Sequence, residues 1–155
     1  MHPVVNKAYP MHLTMKQLTD TPRILVVDDD MDLLMLLERR LVKEGFVVET
    51  AASLREAEEY IQLFNPHLLV LDVNVAGEDG RKLSAQLKIE GSTIKVIIIS
   101  GYDYSAARAA LFGADDVLPK PLNTDYLTFV INKHIYGAHA AGIAYRWAVA
   151  DGNIN

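Results

Sequence analysis

Short apolar runs alternate along this chain with stretches of helical periodicity. Arg23 to Val27 (RILVV) runs apolar until it stops at Asp28, Asp29 and Asp30. Such a run needs cover on both faces, as a buried parallel strand has. From Met31 to Glu44, Leu33, Leu36, Leu37 and Leu41 recur at helical spacing, and Gly45 stands where a helix ends. On that phase these leucines face the core, while Leu34 and Met35 point away from it. Phe46 to Thr50 predicts a second strand.

Ser53-Leu54-Arg55-Glu56 has the form of a capping box and opens a helix that ends at Asn65-Pro66. His67 to Leu71 predicts a third strand, delivering Asp72; Gly77 and Gly80 punctuate the loop behind it. Arg81 to Ile89 predicts a helix, and Ile94 to Ile99 a fourth strand ending at Ser100-Gly101. Tyr104 to Phe112 predicts an alanine-rich helix closed by Gly113. Asp116 to Leu118 predicts a fifth strand before Pro119-Lys120-Pro121, and a last helix runs from near Asn123 to Tyr136. Strands that alternate with helices in this way predict an α/β fold, a doubly wound five-stranded parallel sheet with helices on both faces.

Composition narrows the classes. The 155 residues fit one domain, expected at 22–136 between an N-terminal tail, 1–21, expected to be flexible, and a C-terminal tail, 137–155, of no assigned role. Half the residues are hydrophobic and 23% are charged, a globular balance. The absence of cysteine excludes disulfides and thiolate chemistry. A net charge of −5 with no Lys/Arg run argues against direct nucleic-acid binding. No apolar run approaches the roughly 18 residues of a membrane span, and His2 to Asp20 lacks the apolar core of a signal peptide. A cytoplasmic protein without membrane contact is expected. Met11 and Met15 precede the first strand, so the leading residues read as a tail or an overlong gene start.

In open parallel sheets the site lies beyond the carboxyl ends of the strands. The strand ends here deliver Asp28 and Asp29, Asp72, Ser100, and Lys120. Clustered carboxylates stay ionised only beside a compensating cation, and hard oxygen donors with open positions suit Mg²⁺ (or Mn²⁺). A strand-tip aspartate beside such a metal can act as a nucleophile toward phosphorus. Lys120 and Ser100 would then pair with phosphoryl oxygens, and Gly101 would keep access to Asp72 open. Each residue also has a plain reading: an aspartate after a strand caps a helix, a lone Asp turns a loop, a Lys before Pro is solvated. Their joint arrival at successive strand ends favours the chemical reading.

The segments ILVVDDD, LLVLDVNVAGEDG, VIIISG and GADDVLPKPL resemble the response-regulator receiver domain of two-component signalling, over about Pro22 to Tyr136. The resemblance implies a CheY-like, flavodoxin-like three-layer sandwich of strand order 2-1-3-4-5. It implies Asp72 as phosphoacceptor, and Asp28 and Asp29 as a metal-binding acid pair with the Asn74 backbone carbonyl as a further ligand. Ser100 would be the switch hydroxyl and Lys120 the family's lysine. It also implies a phosphohistidine donor, on a histidine kinase or phosphotransfer protein, and output through the last two helices and fifth strand, a face open to homodimerisation. The protein would be an acceptor rather than an enzyme, acting by contact with a downstream protein. Leu34 and Met35, beside the acid pair, are candidates for donor docking. Two positions depart from the pattern. Ala76 stands where the family usually has Pro, which should loosen the loop. Val117 stands where Tyr or Phe is common, so no ring is available there to swing inward.

Two rivals are weaker. Haloacid-dehalogenase-type phosphatases need an acid two residues after the nucleophile, where this chain has Asn74, which cannot transfer the proton. A receiver-like module that is never phosphorylated would normally lack part of the constellation. A third reading, a fragment of a longer regulator or hybrid kinase, is compatible with the first. Gly137 to Asn155 is too short for a DNA-binding domain.

Overall fold

The apolar runs become the interior of one parallel sheet, in a computed structural model that describes residues 21–101, 110 and 112–137. The main strands are β1 (Arg23–Val27), β2 (Val47–Ala51), β3 (Leu68–Asp72), β6 (Lys95–Ser100) and β7 (Asp116–Pro119). They lie in the order β2-β1-β3-β6-β7, every pair parallel. Counting these five alone, the order is 2-1-3-4-5, as expected. Two further strands of two residues each, β4 (Asn74–Val75) and β5 (Glu78–Asp79), form an antiparallel hairpin where a plain loop was expected.

Alternation along the central strands splits the core in two. Ile24, Val26, Leu68, Val70, Ile97 and Ile99 face α1 (Met31–Lys43) and α4 (Thr124–Tyr136). Leu25, Val27, Leu69, Leu71, Val96 and Ile98 face α2 (Leu54–Phe64) and α3 (Arg81–Ile89). Both faces are covered, which is why these strands read as continuous rather than alternating runs. Each fully buried Leu or Ile contributes about 1.5–3 kcal/mol by leaving water.

The helix ends follow local chemistry. Asp30 caps α1, its Oδ1 accepting from the Asp32 and Leu33 amides at 3.1 and 3.2 Å. Ser53 Oγ accepts from the Glu56 amide at 3.1 Å, and Glu56 Oε2 reaches back to the Ala52 amide at 3.1 Å, one residue before the cap. Asn65 ends α2 in the left-handed region, and Asn123 caps α4. Arg40 ties α1 to α4 through Asp125 at 2.7 Å. Among the described residues, no helix is long and apolar enough to cross a membrane.

One expectation on α1 is corrected. Leu34 is buried, at 3% exposure, with Leu37 and Leu41, while Leu36 is 54% exposed. The run Leu33-Leu34-Met35-Leu36-Leu37 is apolar at every position, so two helical phases fit it equally well. Spacings of three and four residues from Leu34 through Leu37 to Leu41 give the phase adopted, with Leu33 packed at its edge. Leu34 is therefore core and no docking residue; Met35 is exposed as expected. The tails before residue 21 and after residue 137, and the helix expected from Tyr104 to Phe112 apart from Ala110 and Phe112, lie outside the described residues.

Candidate functional site

The parallel register brings the ends of β1, β3, β6 and β7 to one rim. Asp28 follows β1, is 3% exposed, and accepts from the Asp30 amide through Oδ1 at 2.9 Å. Asp72 closes β3, is buried, and accepts from the Asn74 amide through Oδ1 at 3.3 Å. Lys120, just past β7, places Nζ 2.9 Å from Asp72 Oδ2 and 3.3 Å from Asp28 Oδ2. Asp29 is exposed, and one carboxylate oxygen from each of Asp28, Asp29 and Asp72 lies within 4.8 Å of the others. Asp30 is spent on capping, so the plain reading of an aspartate after a strand holds for it and leaves the pair before it for the cluster.

Burial pushes the Asp28 carboxyl above its usual range; the Asp30 amide opposes this, and the nearby Asp72 charge adds to it. Burial pulls the Lys120 ammonium down, but the hydrogen bond and charge of Asp72, with the charge of Asp28, outweigh it and hold its pKa above the ordinary lysine value. One lysine faces two buried carboxylates, with a third at the surface. Three hard oxygen donors, one of them open to solvent, fit a small divalent cation that keeps some of its waters.

Ser100 ends β6, buried, and its carbonyl accepts from the Lys120 amide at 2.8 Å. That bond fixes the lysine's chain position relative to the strand beside Asp72. A Cβ on Gly101 would meet nothing within 4 Å. Val117 pairs with Ile98 and packs, half-buried, against the α2–α3 side of the core.

The loop after Asp72, expected to be loosened at Ala76, closes there in a two-residue hairpin turn. Ala76 and Gly77 have φ of +51° and +84°, positive at both central residues of the two-residue hairpin, as a type I′ turn requires. Asn74 Oδ1 accepts from the Gly77 amide at 2.9 Å and locks the turn. Proline, fixed near φ −65°, cannot occupy Ala76 in this hairpin. Alanine is itself strained at positive φ, so Ala76→Gly is expected to stabilise the domain by up to about 1 kcal/mol. A lower melting temperature in the glycine variant would contradict the turn assignment.

Behind the hairpin, the Gly80 amide donates to Val73 O at 2.7 Å, and a Cβ on Gly80 would fall on the Asp72 carbonyl oxygen. Gly80 reads in the sequence only as punctuation; no periodicity marks its close approach to Asp72. Nothing in the sequence pattern marks Asp79, or gives Arg81 a role beyond opening a helix. Met31 and Leu36, exposed with Met35 on α1, were also missed, because the wrong phase hid the strip they form.

Known proteins resemble this chain over the same sheet and helices. The response regulator receiver domain matches residues 24–132. The response regulator MprA of Mycolicibacterium vanbaalenii is 38% identical over 107 residues, covering 68% of this chain and 46% of its own length. The protein PetR of Rhodobacter capsulatus is 34% identical over 112 residues, 72% of this chain and 47% of its own. The chain thus spans about half the length of these curated relatives. A signal receiver domain from Bermanella marisrubri superposes with a TM-score of 0.67 at 32% identity, over 74% of this chain and 98% of its own. The Thermotoga maritima response regulator protein TrrA, solved in complex with Mg²⁺-BeF, gives 0.67 at 28% identity, over 74% of this chain and all of its own. With the match extending from the first strand into the last helix, this chain belongs to the response regulator receiver domain family of two-component systems.

Proposed function

We propose that Asp72 accepts a phosphoryl group from a phosphohistidine on a histidine kinase or phosphotransfer protein, in the presence of Mg²⁺ or Mn²⁺. The observation that carries this reading is Lys120 Nζ held between Asp72 and Asp28 within a cluster of three carboxylates. A carboxylate oxygen of Asp72 attacks phosphorus, the nitrogen–phosphorus bond of the donor breaks, and the imidazole leaves with the electron pair. Asp28, Asp29, Asp72 and the Asn74 backbone carbonyl would hold the metal, which neutralises charge on the transferring group when bound. Lys120 stays beside Asp72 Oδ2, where it can follow the phosphoryl oxygens, and the Ser100 hydroxyl turns to donate to another.

The protein then acts as an acceptor and switch, not as a turnover enzyme, in the cytoplasm and through contact with a downstream protein. Met35, with Met31 and Leu36, offers an exposed apolar strip beside the acid pair for the donor to dock against. Labelling by acetyl phosphate should require Mg²⁺ and stop on chelation. Asp29→Ala removes a solvent-facing ligand carboxylate, so Mg²⁺ affinity should fall at least about tenfold while the fold survives. Equal affinities for variant and wild type in a Mg²⁺ titration would remove Asp29 from the site.

A further inference from the structure

The first turn of α3 holds a second constellation, outside the acid cluster. Arg81 Nε lies 2.8 and 3.1 Å from Asp79 Oδ1 and Oδ2, Nη2 lies 2.8 Å from Oδ2, and the Arg81 amide donates to Oδ1 at 3.0 Å. Three of these contacts fix one guanidinium edge, and the fourth holds the Arg81 backbone. Its face is also engaged, for the central carbon lies 5.1 Å from the centroid of the Phe112 ring. Lysine can supply neither the fork nor the flat face.

Both ends of this bridge lead somewhere. Asp79 pairs with Asn74 in the hairpin and precedes Gly80, which packs against the Asp72 carbonyl. Phe112 precedes Gly113, at φ +77°, where a Cβ would press to 2.6 Å from Lys88 Cβ and 3.0 Å from Ser84 O on α3. From there Asp115 is held to β6 through its amide, 2.7 Å from Val96 O, and its Oδ2, 2.9 Å from the Val96 amide. The next residue opens β7, which leads to Lys120. An ion pair and a ring contact thus span from the loop after Asp72 to the approach to β7.

We propose that Arg81 is a positioning residue that couples the acceptor loop to Phe112, carrying a conformational link that Val117, without a ring, cannot carry. The inference rests on Asp72 as the phosphoacceptor. A mere stabilising pair would be equally strong in both states and would transmit nothing. Coupling requires the contact to differ between them, and a double-mutant cycle reads that difference.

The test compares amide shifts induced by Mg²⁺ and beryllofluoride in wild type, Arg81→Lys, Phe112→Leu and the double variant. Wild type should respond both at Val73 to Val75 and at Gly113 to Val117. Each single variant should keep the first response and lose about half or more of the second, and the double variant should lose no more than either single one. Full responses at Gly113 to Val117 in Arg81→Lys, additive losses, or loss of both responses together would overturn the coupling. A wild type that fails to respond at Val73 to Val75 would instead sink the acceptor reading, and the coupling with it.

Discussion

Gly80→Ala is expected to destabilise the domain by about 2–3 kcal/mol and to displace Asp72. The added methyl would fall on the Asp72 carbonyl oxygen and press to 3.3 Å from Leu71 Cδ1. The obstacle is backbone of the central strand, paired on both sides, so neither strand nor helix can give way without loss of packing or of the bond from the Gly80 amide to Val73. Overpacking of a dense core costs on the order of 1–3 kcal/mol, and a backbone clash lies toward the upper end. Denaturant unfolding gives the stability, and labelling by acetyl phosphate should slow in the same variant because Asp72 moves. A variant as stable and as quickly labelled as wild type would show that this approach is not tight.

Lys120→Ala should produce the other large effect, and its size depends on pH and metal. In the variant Asp28 and Asp72 lose the cation that faces both. Breaking a fully buried pair costs about 3–5 kcal/mol; with the lysine side chain one-third exposed, solvent screening reduces this to about 1–3 kcal/mol. The Lys120 pKa is raised on folding. Its stabilisation is therefore complete below the unfolded value of about 10.5 and is lost as pH rises through the folded value. Wild type should weaken at that alkaline end, and the variant should lack this decline. The Asp28 carboxyl is also raised, so the folded state binds its proton more tightly and loses that advantage as pH rises through its folded value. With Lys120 gone the variant should gain stability as pH falls from neutral. Added Mg²⁺ should raise its melting temperature more than that of wild type, since the ion replaces the missing charge. Identical melting curves for the two proteins without metal would contradict the electrostatic account.

Much of this was legible in the chain because two-sided burial leaves an unmistakable trace. Leu68 to Leu71 and Val96 to Ile99 read as strands because each residue enters one core or the other. The rim followed, since a parallel sheet sends every strand's carboxyl end the same way, and Asp28, Asp72 and Lys120 meet as the spacing implied. The phase of α1 was not legible, because five successive apolar residues carry no periodicity and only the packing of Leu34 decides it. The Ala76-Gly77 turn was hidden for another reason. Alanine gives no signal of positive φ, and the hairpin depends on the Asn74 side chain closing onto Gly77. The Asp79–Arg81–Phe112 bridge joins residues thirty-odd positions apart by a ring contact that spacing cannot foretell.

The central claim, that Asp72 is the phosphoacceptor, is tested most directly by intact-protein mass. Wild type and Asp72→Asn are incubated with acetyl phosphate and Mg²⁺ and measured side by side over time. Asparagine keeps the shape of the site but lacks the anionic oxygen that attacks phosphorus. Wild type should gain the mass of one phosphoryl group, and Asp72→Asn should gain none over the same interval. Phosphorylation of Asp72→Asn at the wild-type rate would place the acceptor elsewhere and contradict the account.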